Sequence, residues 1–250
     1  MEFLKFAIVL YLAAWLSGGS ERLESLRLGL APFVVVMAIV SLLLLLQPDL
    51  GTLGIILIMA GGVYFVAGAS MKRALFIALA AAVLIVGFAY TSPHRWARFT
   101  TLLHPTADER GAGWQVNQSL IAIGSGGFWG VGLGQSTQKF GFLPEPMGDS
   151  IFAILVEELG LVGGAATLGL FALLAFNILQ IARHAPDEFG TLVCTGVFLW
   201  VMVQTVVNIA AITGLLPLTG IPLPFISYGG TSMTMLLASM GIVLNVAEHA

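Results

Sequence analysis

The run FGTLVCTGVFLWVMVQTVVNIAAITGLLPLTGIPLPFISYGGTSMTMLLASMGIVLNVA, Phe189 to Ala247, contains no Asp, Glu, Lys or Arg. A membrane crossing needs about 20 apolar residues, so the run is too long for one span and too apolar for a water-facing domain. Gly214, Pro217, Gly220, Pro222 and Pro224 divide it. Prolines at that density remove backbone donors and clash with a continuing helix, so the division reads as a loop with a span on either side.

The whole chain obeys the same reading. Of its 250 residues 58% are hydrophobic and 9% charged, and its mean hydropathy is +0.98. Soluble domains are about a quarter charged, so the chain cannot cover a water-facing surface and is expected to be an all-α, polytopic membrane protein. Its 10 basic and 13 acidic residues are scattered, with a net charge of −3, which excludes the basic footprint of a nucleic-acid binder. Cys194 is the only cysteine and lies in an apolar run, so neither an intrachain disulfide framework nor a cysteine metal cluster is expected. Thirty glycines and ten prolines are too many for plain spanning helices and predict broken or re-entrant backbone, tolerated at membrane depth only where protein or water lines it.

Seven spans are predicted in a single membrane domain, at 3–18, 28–46, 51–71, 74–91, 150–182, 190–213 and 228–247. The short loops at 18–27, 72–73 and 183–189 carry Arg22, Arg27, Lys72, Arg73 and Arg183, whereas those at 47–50 and 214–227 carry no Lys or Arg. The positive-inside rule places the first set in the cytoplasm and the long segment 92–149 outside. Within that segment Gly111 to Gln138 is uncharged and rich in Gly, Gln, Ser and Trp, which suits short amphipathic or re-entrant helices with Trp96, Trp114 and Trp129 at headgroup level. An odd number of spans with an external Met1 predicts helices upstream of this chain. Glu2 precedes the first apolar run and no small-residue cleavage pattern follows, so the run does not read as a signal peptide.

Ionisable residues in or beside spans are functional candidates. Glu2 and Lys5 share a helix face, as a helix-end ion pair with Lys5 snorkelling outward or as a cavity lining. Asp49, in QPDLGT, can cap the third helix or serve chemistry. The densest constellation is LPEPMGDSIFAILVEELG, 143–160. Pro144 and Pro146 hold the chain extended, and Asp149 follows at the start of an apolar helix, facing the positive end of its dipole. Capping by Asp149 and Ser150 is one reading; the company of Lys139, Glu145, Glu157 and Glu158 favours chemistry. Glu157 falls about 80° from Asp149 and roughly 12 Å deeper, and Glu158 points the opposite way, so both are expected to fix packing or a polar network. His94, His104, His184 and His249 are dispersed and suggest no zinc site, and GVGLG at 130–134 follows no strand pattern, which discounts a nucleotide loop.

QPDLGT (47–52), GWQVNQSLIAIGSGGFWGVGLGQSTQKFGFLPEP (113–146), DSIFAILVEELGLVG (149–163) and PLTGIPLPFISYGGTS (217–232) resemble, in order and over nearly the whole chain, the SEDS family, the bacterial FtsW and RodA peptidoglycan polymerases. EFLKFAIVLYLA (2–13) is similar to that family's EFAK-type helix, and Gln118-Ser119-Leu120 and Gln138-Lys139 are closer to the FtsW branch. The resemblance implies a ten-helix glycosyltransferase of the bacterial cytoplasmic membrane, acting in cell division, of which this chain holds the fourth to tenth helices and lacks the first three. It implies transfer of a glycan from undecaprenyl diphosphate to lipid II, with Asp149, where the family's TDFIF is replaced by Gly148-Asp149-Ser150, as general base. Glu2, Lys5, Asp49, Arg98, Gln118, Lys139, Glu145 and Ser232 are the substrate-binding candidates, with Lys5, Arg98 or Lys139 stabilising the diphosphate. A divalent cation, magnesium or manganese, can do the same, though no ligand set is legible. The implied partners are a class B penicillin-binding protein and other division proteins. A flippase of lipid-linked precursors is the rival expectation.

Overall fold

The computed structural model describes residues 1–18, 29–92, 96, 98, 102 and 112–250. Eight helices occur among them: α1 (Glu2–Leu16), α2 (Ala31–Leu46), α3 (Leu50–Val66), α4 (Met71–Tyr90), α5 (Ala112–Ser125), α6 (Ile151–His184), α7 (Glu188–Ile212) and α8 (Gly230–Glu248). The all-helical, multi-pass expectation therefore holds. Four helices, α4, α6, α7 and α8, are long and apolar enough to cross a membrane. The apolar helices α2 and α3 have 16 and 17 residues, about 25 Å at 1.5 Å per residue, somewhat short of a hydrocarbon core of about 30 Å.

Local chemistry sets the helix ends. Asp49 caps α3, its carboxylate accepting from the Thr52 N–H at 2.9 Å. The expected end of that helix at residue 71 is corrected to Val66. Gly68 takes φ +105°, its N–H donates to the Phe65 carbonyl, and the Ala69 N–H donates to the Tyr64 carbonyl. This is a Schellman stop, and it requires a residue at ease in the left-handed region.

The chain forms two compact units. The first comprises Met1–Ala89, Ala175–Val203 and Thr231–Ala250. Its centre is α3, where Leu53, Ile56, Met59, Ala60, Val63 and Tyr64 are fully buried and α1 packs alongside. Glycines allow the helices to close: a Cβ on Gly62 would meet Leu199 of α7 at 2.4 Å, and one on Gly196 would meet Val9 of α1 at 2.8 Å. Small residues serve this purpose in membranes, where packing replaces the hydrophobic drive. By contrast α4 buries only Ala89, so its apolar surface suits lipid.

The second unit comprises Tyr90–Leu174 and Gln204–Gly230. Its main departure from expectation lies in α6, which is interrupted at Gly160 (φ 71°, ψ −172°). A glycine-rich loop fills the interruption. The Val131 and Gly132 N–H groups donate to the Glu157 and Glu158 carbonyls at 3.0 and 3.1 Å, and the Leu161 and Val162 N–H groups donate to the Gly127 and Phe128 carbonyls at 2.8 and 3.3 Å. Backbone groups that the broken helix cannot pair are thereby satisfied, as a low-dielectric setting demands. The approach leaves no room for side chains: a Cβ on Gly130 would lie 2.1 Å from the Glu158 carbonyl oxygen, and one on Gly160 2.4 Å from the Gly130 nitrogen.

Candidate active site

Asp149 lies two residues before α6, half-buried; the segment leading to it is not extended, as its two prolines led one to expect, but turned, with Glu145 at φ +46° and the Gly148 and Ser150 N–H groups both donating to the Glu145 carbonyl. Its carboxylate turns to α5: Gln115 Nε2 donates to Asp149 Oδ1 at 3.1 Å and to Ser150 Oγ at 3.0 Å. Both amide hydrogens are thus used, and the fully buried Ser150 hydroxyl is left to donate to the Pro144 carbonyl at 3.2 Å or to Asp149 Oδ1 at 3.4 Å. The other oxygen, Oδ2, faces Gly220, where a Cβ would stand 3.9 Å away.

Two further side chains join the Asp149 segment to the proline loop at 217–228. Asn208 Nδ2, on α7, donates to the Asp149 carbonyl and to the Ile221 carbonyl, each at 2.7 Å. Ser227 Oγ donates to the Gly148 carbonyl at 2.6 Å while accepting from the Leu223 N–H at 2.7 Å. The Tyr228 N–H donates to the Met147 carbonyl at 2.9 Å, and Gln204 Nε2 to the Pro222 carbonyl at 2.8 Å. Asp149 therefore sits on backbone fixed from three directions.

Burial raises the Asp149 pKa above the ordinary carboxylate value; the hydrogen bonds from Gln115 and from its own backbone N–H oppose this, Glu145 adds to it by like charge, and Ser150 opposes it. A carboxylate pushed upward is a better proton acceptor at neutral pH than an exposed one.

The remaining candidates divide between the units. In the second, Arg98 Nη1 donates to the Leu218 carbonyl at 3.4 Å, two residues before Gly220. Gln118 is buried one helical turn from Gln115, and Glu145 is exposed with φ +46°. Lys139 Nζ pairs with Glu158 at 2.7 Å and stands 5.2 Å from the Phe140 ring centroid. Glu158 also accepts from the Gly134 and Ser136 N–H groups, and Glu157, 1% exposed, accepts from the Ser136 hydroxyl and from the Thr137 N–H and hydroxyl. The two glutamates thus knit the 134–139 loop to α6, the polar-network role expected of them.

In the first unit, Glu2 and Lys5 form the expected ion pair, but Lys5 does not snorkel: its side chain is 1% exposed, with Nζ 5.5 Å from the Trp200 ring centroid. Asp49 serves as a cap, and Ser232 is buried in the first turn of α8. Among the described residues no group of three or more His, Cys, Asp or Glu side chains is placed to hold a metal ion.

Residues 1–250, the whole chain, match the model of the FtsW, RodA and SpoVE family, described as cell cycle proteins. The chain belongs to this family. It is 43% identical to stage V sporulation protein E of Bacillus subtilis, an alignment covering 100% of this chain and 68% of that one. It is 39% identical to the probable peptidoglycan glycosyltransferase FtsW of Coxiella burnetii, covering 98% and 67%. Among solved structures it is similar, with a TM-score of 0.78 and 28% identity over 99% of this chain and 69% of the other, to a member of a peptidoglycan synthase complex that coordinates polymerization and crosslinking. This FtsW/RodA/SpoVE chain spans about two thirds of the length of these relatives.

Sequence reasoning singled out Asp149 but not Gln115, Asn208 and Ser227, whose side chains hold its carboxylate and the backbone around it. A signal existed for one of them: Gln204 and Asn208 are amide side chains inside an otherwise apolar, charge-free span, and polar groups at such depth are held by partners.

Proposed function

We propose that the chain is the catalytic portion of a peptidoglycan glycosyltransferase that polymerises lipid II during cell division. The observation that carries this reading is the half-buried Asp149 carboxylate, held through Oδ1 by Gln115 and turned through Oδ2 toward the exposed Gly220; its raised pKa supports the same role. A sugar hydroxyl is a poor nucleophile at neutral pH. As its oxygen attacks the anomeric carbon of the lipid-linked strand, Asp149 accepts the hydroxyl proton, the new carbon–oxygen bond forms, and the bond to the diphosphate breaks with its electron pair leaving on the diphosphate. Among the described cations of this unit, Arg98, whose guanidinium reaches the Leu218 carbonyl, is the one placed to favour that charge. Lys139 is already engaged by Glu158.

The site faces outward from the bacterial cytoplasmic membrane, because the short basic loops claim the inner side. A class B penicillin-binding protein crosslinks the product, a reading supported by the similarity to a member of a synthase complex. The broken α6 favours a second reading, a flippase, since interrupted helices build transport sites. Lipid II in detergent separates the two. No bilayer divides two sides there, so glycan chains made by the purified protein with its partner support the polymerase, and none from folded protein supports the flippase.

A further inference from the structure

We propose that Gln115 is a positioning residue for the base: it fixes Asp149 Oδ1, so that Oδ2 alone receives the proton and the acceptor hydroxyl is seated at the Gly220 edge of the carboxylate. This rests on the polymerase reading and deepens it. A carboxylate free to rotate about its terminal torsion presents either oxygen to substrate. Gln115 removes that freedom by donating to Oδ1, and its second hydrogen holds Ser150 Oγ, which ties the amide plane to the adjacent residue. The other oxygen, Oδ2, faces the exposed Gly220, where even a Cβ would stand 3.9 Å off, at ordinary contact distance. Seated there, the acceptor hydroxyl transfers its proton to Oδ2 while its oxygen bonds to the anomeric carbon and the diphosphate departs.

The groups that face Asp149 make the idea testable by pH. From its own loop comes Glu145, a like charge; from α5 and α7 come the neutral amides Gln115 and Asn208; beyond the facing loop Arg98 reaches the Leu218 carbonyl. Of the neutral donors that favour the ionised carboxylate, Gln115, the Asp149 N–H and the Ser150 hydroxyl, Gln115 has the largest effect, so its loss raises the pH at which the base becomes competent.

The test uses the purified protein with its crosslinking partner and lipid II, measuring kcat and KM across pH for wild type, Gln115→Met and Gln115→Glu. Both variants should keep the KM for lipid II, and the acid limb of kcat should move upward by about one to two pH units in Gln115→Met, the equivalent of one hydrogen bond to a charged group. It should move further in Gln115→Glu, where a second carboxylate meets the first. A merely structural Gln115 would lower the yield of folded protein and leave the limb in place. Gln115→Glu keeps the size and polarity of the side chain, so it decides the matter if the methionine variant does not fold. An unmoved limb overturns the positioning role alone, provided Asp149→Asn is inactive. Wild-type activity in Asp149→Asn instead overturns the underlying assignment of the base.

Discussion

A single amide nitrogen, Asn208 Nδ2, holds the Asp149 carbonyl and the Ile221 carbonyl at 2.7 Å each, locking the segment that carries the carboxylate to the loop it faces. Asn208 is 1% exposed, so water cannot replace it. Asn208→Leu strands two carbonyls and should destabilise the protein by about 2–4 kcal/mol. Polymerisation should fall with it. Thermal unfolding in detergent measures the first effect; a variant as stable as wild type would mean that the two loops are held otherwise.

The clasp between the glycine-rich loop and the break in α6 makes a second prediction. Gly160→Ala places a Cβ against the Gly130 nitrogen and the Phe128 carbonyl oxygen, both at 2.4 Å, at a φ of +71°. Backbone strain and overpacking together should cost about 2–5 kcal/mol. Gly124→Ala, in α5 with nothing within 4 Å of its Cβ, should change stability by no more than about 1 kcal/mol. Equal effects at the two sites would refute the clasp.

Glu2 and Lys5 invite a double-mutant cycle. Lys5 is 1% exposed, and Glu2 Oε2 is buried without a partner. Lys5→Met should therefore cost about 3–5 kcal/mol by leaving an uncompensated buried carboxylate. Glu2→Gln together with Lys5→Met should recover most of it. If the recovered double variant polymerises normally, the pair is structural; if it stays inactive, the pair lines the substrate path.

Orientation is checked by labelling. Cys194 is buried, so the native background is low. Gln135→Cys and Pro186→Cys, both at exposed positions, should differ in intact cells, with an impermeant thiol reagent reaching the first only. Labelling confined to the second would invert the topology.

The parts of this architecture written in local chemistry were legible in the sequence. Apolar runs pointed to the helices, Asp49 before Leu50-Gly51-Thr52 offered a cap, and the proline loop after Ile212 was plain from its composition. The break in α6 was not legible, because VEELGLVGG reads as continuous helix until the loop that pairs with its backbone is known; Gly160 is interrupted by a partner some thirty residues away. Gln115 was hidden for the same reason. Its role depends on a contact 34 residues along the chain, and nothing in its own neighbourhood distinguishes it from Gln118 three residues later. Lys5 misled in the opposite sense: near a helix end a lysine is expected to reach water, and here Glu2 and Trp200 hold it inside.

The measurement that bears most directly on the account is the rate of lipid II polymerisation by Asp149→Asn in detergent, with the crosslinking partner present and unfolding followed in parallel. Burial raises the folded-state pKa of Asp149 above its unfolded value, so the protonated form is the one folding favours. That contribution is fully present below the ordinary carboxylate range and lost as pH rises through the raised pKa. At neutral pH the neutral, isosteric asparagine should consequently unfold no earlier than wild type. Its rate should nevertheless fall by about 10²- to 10⁴-fold, the usual cost of a lost general base. A folded Asp149→Asn protein that polymerises lipid II at the wild-type rate would contradict the account.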